Sequence, residues 1–263
     1  MDIYDDEHMQ VDMSSSAYNL DKEHFPEPSL CVIINNKNFV YHNERRGTDV
    51  DADTLCRCFT VLGFQVEVKC DQTHKQMIDL LRDVSKQDHS KRACFVCILL
   101  SHGDNGKING TDGEIEIQYL SGMFCGMQCP SLSRKPKLFF IQACQGTMFD
   151  DGVEVDSILE TDSLTQCVIP VEADFLYCHS TVPGYYSWRN MECGSWFVQS
   201  LTQVLSSSAI NMELIKLLTR VNFKVANFES ATRSEGTNKK KQVSCIMSKL
   251  TKEFFFKHLK ELE

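Results

Sequence analysis

Two periods of apolar residues divide this chain into strands and helices. Runs 31–34, 93–100 and 137–143 are apolar nearly throughout. They predict short strands buried on both faces. Segments 174–178 and 245–250 extend that set, and 64–68 alternates with the period of two expected of a strand. Between them, apolar positions spaced three and four apart predict helices. One runs over 48–62, with Thr48 as N-cap and Gly63 as stop. A second covers 73–85 and puts Met77, Leu80, Leu81 and Val84 on one face. Two more cover 196–205 and 212–225. Strands alternating with helices predict an α/β sheet covered on both sides. Segment 1–28, polar and ending in Phe-Pro-Glu-Pro, reads as a disordered tail. No internal repeat is present.

The chain has 263 residues, 42% of them hydrophobic, enough for one sizeable core. No run of eighteen apolar residues occurs, which excludes a membrane helix. The acidic start, MDIYDDEHMQ, has neither the basic nor the apolar region of a secretory signal. Thirteen cysteines, an odd number without an export signal, predict reduced thiols packed as small hydrophobes rather than a disulfide framework. The sequon at Asn109 is then expected to stay unmodified. The net charge of −9 is concentrated. Segment 1–28 holds eight acids against one base, and segment 148–162 holds six acids and no base. What remains has 22 acids against 26 bases. That distribution argues against nucleic acid as a partner and suits a body that accepts acidic peptides, its own segments included.

Chemistry-bearing residues follow the two most apolar strands. The first runs into Ser101-His102-Gly103, the second into Gln142-Ala143-Cys144-Gln145-Gly146. In open α/β sheets ligands bind beyond the carboxyl ends of strands. Neighbouring strands would bring His102 and Cys144 to one edge. A thiolate attacks carbonyls, a nearby imidazole takes its proton and returns it to the leaving amine, and backbone N–H groups hold the oxyanion. Gly103 and Gly146 would let backbone approach. Cys94 and Cys97 have CxxC spacing, but in a strand they face opposite sides, so no metal site is expected there. Asp49, Asp51 and Asp53 sit in a helix's first turn, where the helix dipole accounts for them.

The motif QACQG with an upstream SHG resembles the caspase family. The resemblance extends through IINNKNF, RGTDVDA, LRDVSKQDHSK, LLSHG, KPKLFFIQAC, IPVEADFLY, PGYYSWRN and GSWFVQSL, covering about 29–255. It implies the caspase-like fold, a central, mostly parallel six-stranded sheet with helices on both faces. It implies a cysteine endopeptidase of the effector (executioner) type, acting in apoptosis and cutting protein substrates after aspartate. His102 and Cys144 match the catalytic pair, with the N–H groups of Gly103 and Cys144 as oxyanion donors. Arg45, Gln142 and Arg189 match the clamp for the aspartate carboxylate (S1), a role that two guanidinium forks and an amide suit. Trp188 and Trp196 match walls of the outer pockets, and Ser187 and Asn190 match residues that hold the substrate. No cofactor and no metal are implied.

The resemblance also gives the acidic stretch a meaning. VEVD before Ser157 and LETD before Ser163 resemble sites at which caspase zymogens are cut, so Asp156 and Asp162 are expected cleavage points, with Asp12 and Asp21 as candidates for removing the tail. The expected organisation is a short prodomain over 1–28 and a catalytic domain over 29–263. The latter divides into a large subunit (29–156), a cleavable linker (157–173) and a small subunit (174–263). Upstream caspases or the chain itself would act as activator. A cytoplasmic homodimer is expected, joined at the edge strand 245–250, with no membrane partner. Three departures stand out. Gln145 replaces the usual arginine, His179 replaces its aromatic partner, and 231–238 lacks the aromatic residues of the loop that lines the P4 pocket. An initiator-like caspase and a non-catalytic homologue serving as scaffold or decoy are the alternative readings.

Overall fold

The computed structural model describes residues 16–150, 173–232 and 234–256. Six strands form one sheet. In chain order they begin with β1 (Leu30–Asn35), β2 (Gln65–Cys70) and β3 (Phe95–Leu100). A small antiparallel sheet follows, made of β4 (Gly103–Asp104), β5 (Lys107–Asn109) and β6 (Glu114–Glu116). Then come β7 (Lys137–Gln142) and β8 (Phe175–His179), a hairpin of β9 (Arg189–Asn190) and β10 (Gly194–Ser195), and β11 (Cys245–Ser248). The main sheet has the order β11-β8-β7-β3-β1-β2. All its pairings are parallel except that of β11 with β8. The chain therefore has the caspase-like α/β sheet that the resemblance implied.

Helices α1 (Thr48–Val61), α2 (His74–Ser85), α3 (Ile117–Gly122), α4 (Trp196–Ser208) and α5 (Leu214–Asn227) cover the two faces. Alternation along the strands explains both layers. Cys31 and Ile33 of β1, with Val96, Ile98 and Leu100 of β3, pack beneath α1, α4 and α5. Leu30, Val32 and Ile34, with Phe95, Cys97 and Leu99, pack beneath α2 and α3. Cys94 and Cys97 fall in different layers, so the CxxC pair does face opposite sides.

Helix α2 starts at a capping box. Thr73 Oγ1 accepts from Gln76 N at 3.1 Å, and Gln76 Oε1 accepts from Thr73 N at 2.9 Å. Helix α1 ends as expected at Gly63, whose φ is 92°. Phe64 N bonds Phe59 O at 3.0 Å, closing a Schellman-type end with the two rings 5.4 Å apart. Its start differs from expectation. Gly47 is the N-cap, and Thr48 turns its hydroxyl inward, donating to Asn35 Oδ1 at 2.7 Å and accepting from Arg45 Nη1 at 2.8 Å. A buried arginine needing acceptors claims that oxygen in preference to the helix end.

Part of the expected tail is packed on the body. Tyr18 and Leu20 are buried. Tyr18 N bonds Glu253 O at 2.9 Å, and its hydroxyl donates to Asp174 Oδ1 at 2.6 Å. Disorder up to residue 28 therefore does not hold for 16–28. Two apolar side chains and a buried acceptor at Asp174 tie it to the body. Asp21 is exposed but opens a turn, its carbonyl accepting from His24 N and Phe25 N. The remainder of the tail, with Asp12, lies outside the described residues, as do Asp156 and Asp162.

Candidate active site

Sheet register brings the two expected reactive residues level. Leu100 of β3 pairs with Gln142 of β7, the last residue of each strand, and His102 and Cys144 lie two residues beyond those ends. Both line one cleft of about 1080 Å³, together with Arg45, Gly103, Gln142, Ser187, Trp188 and Arg189. Gly103 is demanded by packing, since a Cβ there would lie 2.6 Å from Lys107 O and 3.0 Å from Ala143 Cβ. Gly146 likewise lets its strand end lie against Gly184, whose backbone a Cβ would meet at 2.4 Å. Backbone bonds from Gln145 N to Tyr185 O and from Met148 N to Gly184 O fasten that contact. They hold Ser187 beside Cys144, with Ser187 N 3.5 Å from the sulfur.

His102 Nε2 lies 2.8 Å from Asn43 O. A carbonyl only accepts, so Nε2 carries the hydrogen and Nδ1 keeps a free lone pair. Burial, reinforced by positive charge at Arg45 and Arg189, pulls the imidazole down to about 4, against the raising effect of the Asn43 carbonyl. The ring is therefore neutral at neutral pH and can take a proton.

On the other side of the cleft the charge is positive. Arg45 is only 1% exposed. Its Nη1 donates to Asn36 O at 3.0 Å and to Thr48 Oγ1, while Nε and Nη2 are buried without a partner. Burial, and then the charge of Arg189, lowers its basicity well below the usual guanidinium value. Arg189 Nε donates to Arg46 O at 2.9 Å. Gln142 Nε2 donates to Ser187 Oγ at 2.8 Å. Unsatisfied buried donors destabilise the free protein, and an entering carboxylate would satisfy them.

Two expected binding residues are placed differently. Trp196 is buried, stacked between Trp188 (5.6 Å) and Phe228 (5.3 Å), and does not line the cleft. Asn190 uses Oδ1 to accept from Glu192 N (2.7 Å) and Cys193 N (3.0 Å), which braces its own hairpin. Gln145 is buried and donates to Thr181 O; it makes no hydrogen bond to His179, whose Nδ1 is buried without a partner.

Several contributors had no signal in the sequence. Asn43 acts through its backbone. Gln242 Oε1 accepts from Trp188 N at 2.6 Å, and its Nε2 donates to Ser180 O at 2.6 Å, bracing the cleft wall. Asp51, read as a helix-dipole residue, is buried beside the arginines and accepts from Ser195 N at 2.8 Å. Burial raises its carboxyl to about 6, although that hydrogen bond and the arginines pull the other way. His42 and Phe39 flank His102, with ring centroids 5.2 Å and 4.7 Å away. Among the described residues no group of three or more His, Cys, Asp or Glu side chains could hold a metal ion.

Comparison with known proteins shows the family. A family profile described as "Caspase domain" matches residues 28–255. Caspase-3 of Felis catus is 51% identical over 257 residues, 95% of this chain and 92% of that protein. Caspase-3 of Mus musculus is 52% identical over 248 residues, 92% of this chain and 88% of that protein. Caspase-3 of Bos taurus is 51% identical over 244 residues, 91% and 87% of the two chains.

Proposed function

The chain belongs to the caspase family, and from that premise we propose that Cys144 and His102 carry out its peptide cleavage after aspartate. It is an aspartate-specific cysteine protease of the effector type, a hydrolase of apoptosis. In our reading His102, neutral with Nδ1 unprotonated, accepts the Cys144 proton as the sulfur attacks the carbonyl, and returns it to the leaving amine. N–H groups at Gly103 and Cys144 receive the oxyanion. Arg45 and Arg189, with Gln142, clamp the P1 carboxylate. The observation that carries the last assignment is the pair of partnerless nitrogens on a buried arginine. Aspartate reaches them from a cleft of fixed depth; glutamate is one methylene longer, a difference such pockets discriminate. Ser187 and Trp188 wall the cleft, whereas Trp196 stacks on Trp188 and Asn190 braces the turn that follows Arg189.

We further assign activation to cleavage after Asp156 or Asp162, dividing the chain into a large subunit (29–156) and a small one (174–263), with Asp12 and Asp21 as sites for trimming the tail. Dimers, typical of the family, would form at β11, which among the described residues is an edge strand paired only with β8 and carries Met247 half exposed. No helix among the described residues is long and apolar enough to cross a membrane, which suits a cytoplasmic enzyme acting on protein substrates.

The test is expression of wild type, Cys144→Ala and His102→Ala, read by self-processing and by a peptide library varied at P1. Processing after Asp156 or Asp162 and cleavage confined to P1 Asp are expected of wild type alone. Equal cutting after Asn and Asp, or undiminished activity of either variant, would sink the assignment.

A further inference from the structure

Helix α1 opens with aspartates at alternate positions, and one of them does not behave as a helix-dipole residue should. Asp49 and Asp53 are exposed, Asp49 in an ion pair with Lys37 Nζ at 2.7 Å. Asp51 is 1% exposed. A carboxylate that served the helix dipole alone would stay in water, because burying a charge is costly. Asp51 turns instead to the hairpin of β9 and β10. Its Oδ1 accepts from Ser195 N at 2.8 Å, and Ser195 stands opposite Arg189 in the hairpin register. Gly194, with φ 84°, makes this approach possible, since a Cβ there would collide with Asp51 Oδ1. Two further contacts seat the same hairpin on the same helix. Arg189 Nε donates to Arg46 O at 2.9 Å. Gly47, the N-cap of α1, lies so near Asn190 O that a Cβ on it would also collide. Arg45 leaves the chain just before that cap. The bond from Ser195 to Asp51 therefore joins the two elements that carry the guanidiniums of the proposed clamp. Asp51 Oδ2 is buried without a hydrogen-bond partner. Its charge reaches both arginines: burial, joined at Arg45 by the charge of Arg189, lowers their basicity, and Asp51 works against that.

We propose that Asp51 is a positioning residue for the P1 carboxylate clamp: through Ser195 N it holds the hairpin bearing Arg189 against the start of α1, and so fixes the spacing of Arg189 from Arg45 that lets both engage one carboxylate. The inference rests on the reading of Arg45, Gln142 and Arg189 as that clamp. Asp51 does not line the cleft, so it acts through the arginines. A P1 aspartate offers two anionic oxygens and gains from both guanidinium forks at once, whereas a P1 asparagine offers one neutral acceptor. Displacing Arg189 therefore costs Asp peptides more than Asn peptides, while loss of folded protein costs both alike.

The test is kcat/KM for a pair of fluorogenic tetrapeptides that differ only in P1 Asp or P1 Asn, in wild type, Asp51→Ala and Asp51→Asn, each as the full chain with Tm measured alongside. The readout is the Asp-to-Asn ratio within each protein, which unfolded molecules do not change. Asp51→Ala leaves Ser195 N without its acceptor and should lower the ratio about 10- to 100-fold, chiefly through KM for the Asp peptide. Asp51→Asn keeps an oxygen for Ser195 N, and its ratio should stay at least ~3-fold above that of Asp51→Ala. A folded Asp51→Ala whose ratio lies within ~3-fold of wild type overturns the proposal, whatever its Tm, because a merely structural residue would give that result. Equal ratios in the two variants also overturn it, since the Ser195 bond would then not be the means. Should Asp51→Ala not fold, Gly194→Ala decides. It pushes the hairpin off an intact Asp51 carboxylate and should lower the ratio in the same way; an unchanged ratio overturns the proposal. If Arg45→Lys leaves the ratio as in wild type, the clamp reading and this inference fall together. If Arg45→Lys lowers it and Asp51→Ala does not, this inference alone fails.

Discussion

A lysine in place of Arg45 would keep a charge beneath the cleft and lose the fork that recognises a carboxylate. Arg45 has three nitrogens to place. Nη1 is occupied by Asn36 O and Thr48 Oγ1, and Nε and Nη2 have no partner. A P1 carboxylate that engages the free pair gains charge-assisted hydrogen bonds of about 1.5–3 kcal/mol each. An ammonium is a single point of donation and can serve either the Asn36–Thr48 shelf or the substrate. The expected loss is about 2–5 kcal/mol of transition-state binding, or roughly 30-fold to several-thousand-fold in kcat/KM. The assay compares Arg45→Lys with wild type on fluorogenic tetrapeptides ending in Asp and in Asn, with thermal unfolding to establish that the variant is folded. The preference for Asp over Asn should shrink along with the rate on Asp, because the Asn amide never used the full charge. An aspartyl aldehyde should raise the Tm of wild type, whose donors it satisfies, and raise that of Arg45→Lys far less. A folded Arg45→Lys within ~3-fold of wild type on the Asp peptide would refute the clamp.

Other outcomes follow from the same geometry. Gly103→Ala forces a Cβ to within 2.6 Å of Lys107 O; it should destabilise by about 1–3 kcal/mol in urea unfolding and depress kcat more than KM, since the turn carrying His102 must shift. Burial holds the His179 imidazole down at about 4, so the unfolded chain binds more protons between that value and the ordinary histidine value near 6.5. Its contribution to stability is full above about pH 6.5 and is lost as the pH falls toward 4. His179→Gln should therefore flatten the stability-versus-pH curve in that window by roughly 2–3 kcal/mol, measured by denaturant midpoints, and an unchanged slope would refute the assignment. Cys31, Cys94, Cys97 and Cys178 are fully buried with their thiols pushed up by desolvation. In the folded chain they should resist alkylation that labels exposed Cys70 and Cys193, and react once the chain is unfolded in denaturant.

The central strands and the placement of the candidate pair were both readable in advance, for a shared reason. A strand buried on both faces must be apolar without interruption, so β1, β3 and β7 announce themselves locally, and His102 and Cys144 lie two residues past the ends of two of them. The short elements were not readable. β4, β5, β6, β9 and β10 have two or three residues each, too few to show a period, and long-range pairing holds them in place. Thr48 shows how a local rule is overridden, since its hydroxyl answers a buried guanidinium in preference to the helix end. Tyr18 and Leu20 show the converse, two apolar side chains in a polar stretch that find a place in the body.

By itself, the sequence determined the α/β layering, the position of the candidate reactive residues beyond the strand ends, and, through its motifs, the family. These depend on residues near one another in the chain or on patterns that recur along it. Tertiary structure alone decided how the groups of the pocket are held. Arg45, Gln142 and Arg189 are scattered along the chain and only the family resemblance named them together, while Asp51, buried beside the two arginines, was read as a helix-dipole residue. Nothing in the chain marks Asn43, which acts through a carbonyl that every residue has, or His42, whose ring meets His102 only after the loop following β1 folds over the end of β3. Burial, register and the direction of a side chain belong to the assembled sheet, and at this site they gather the arginines and the histidine for which we propose the roles of carboxylate clamp and proton acceptor.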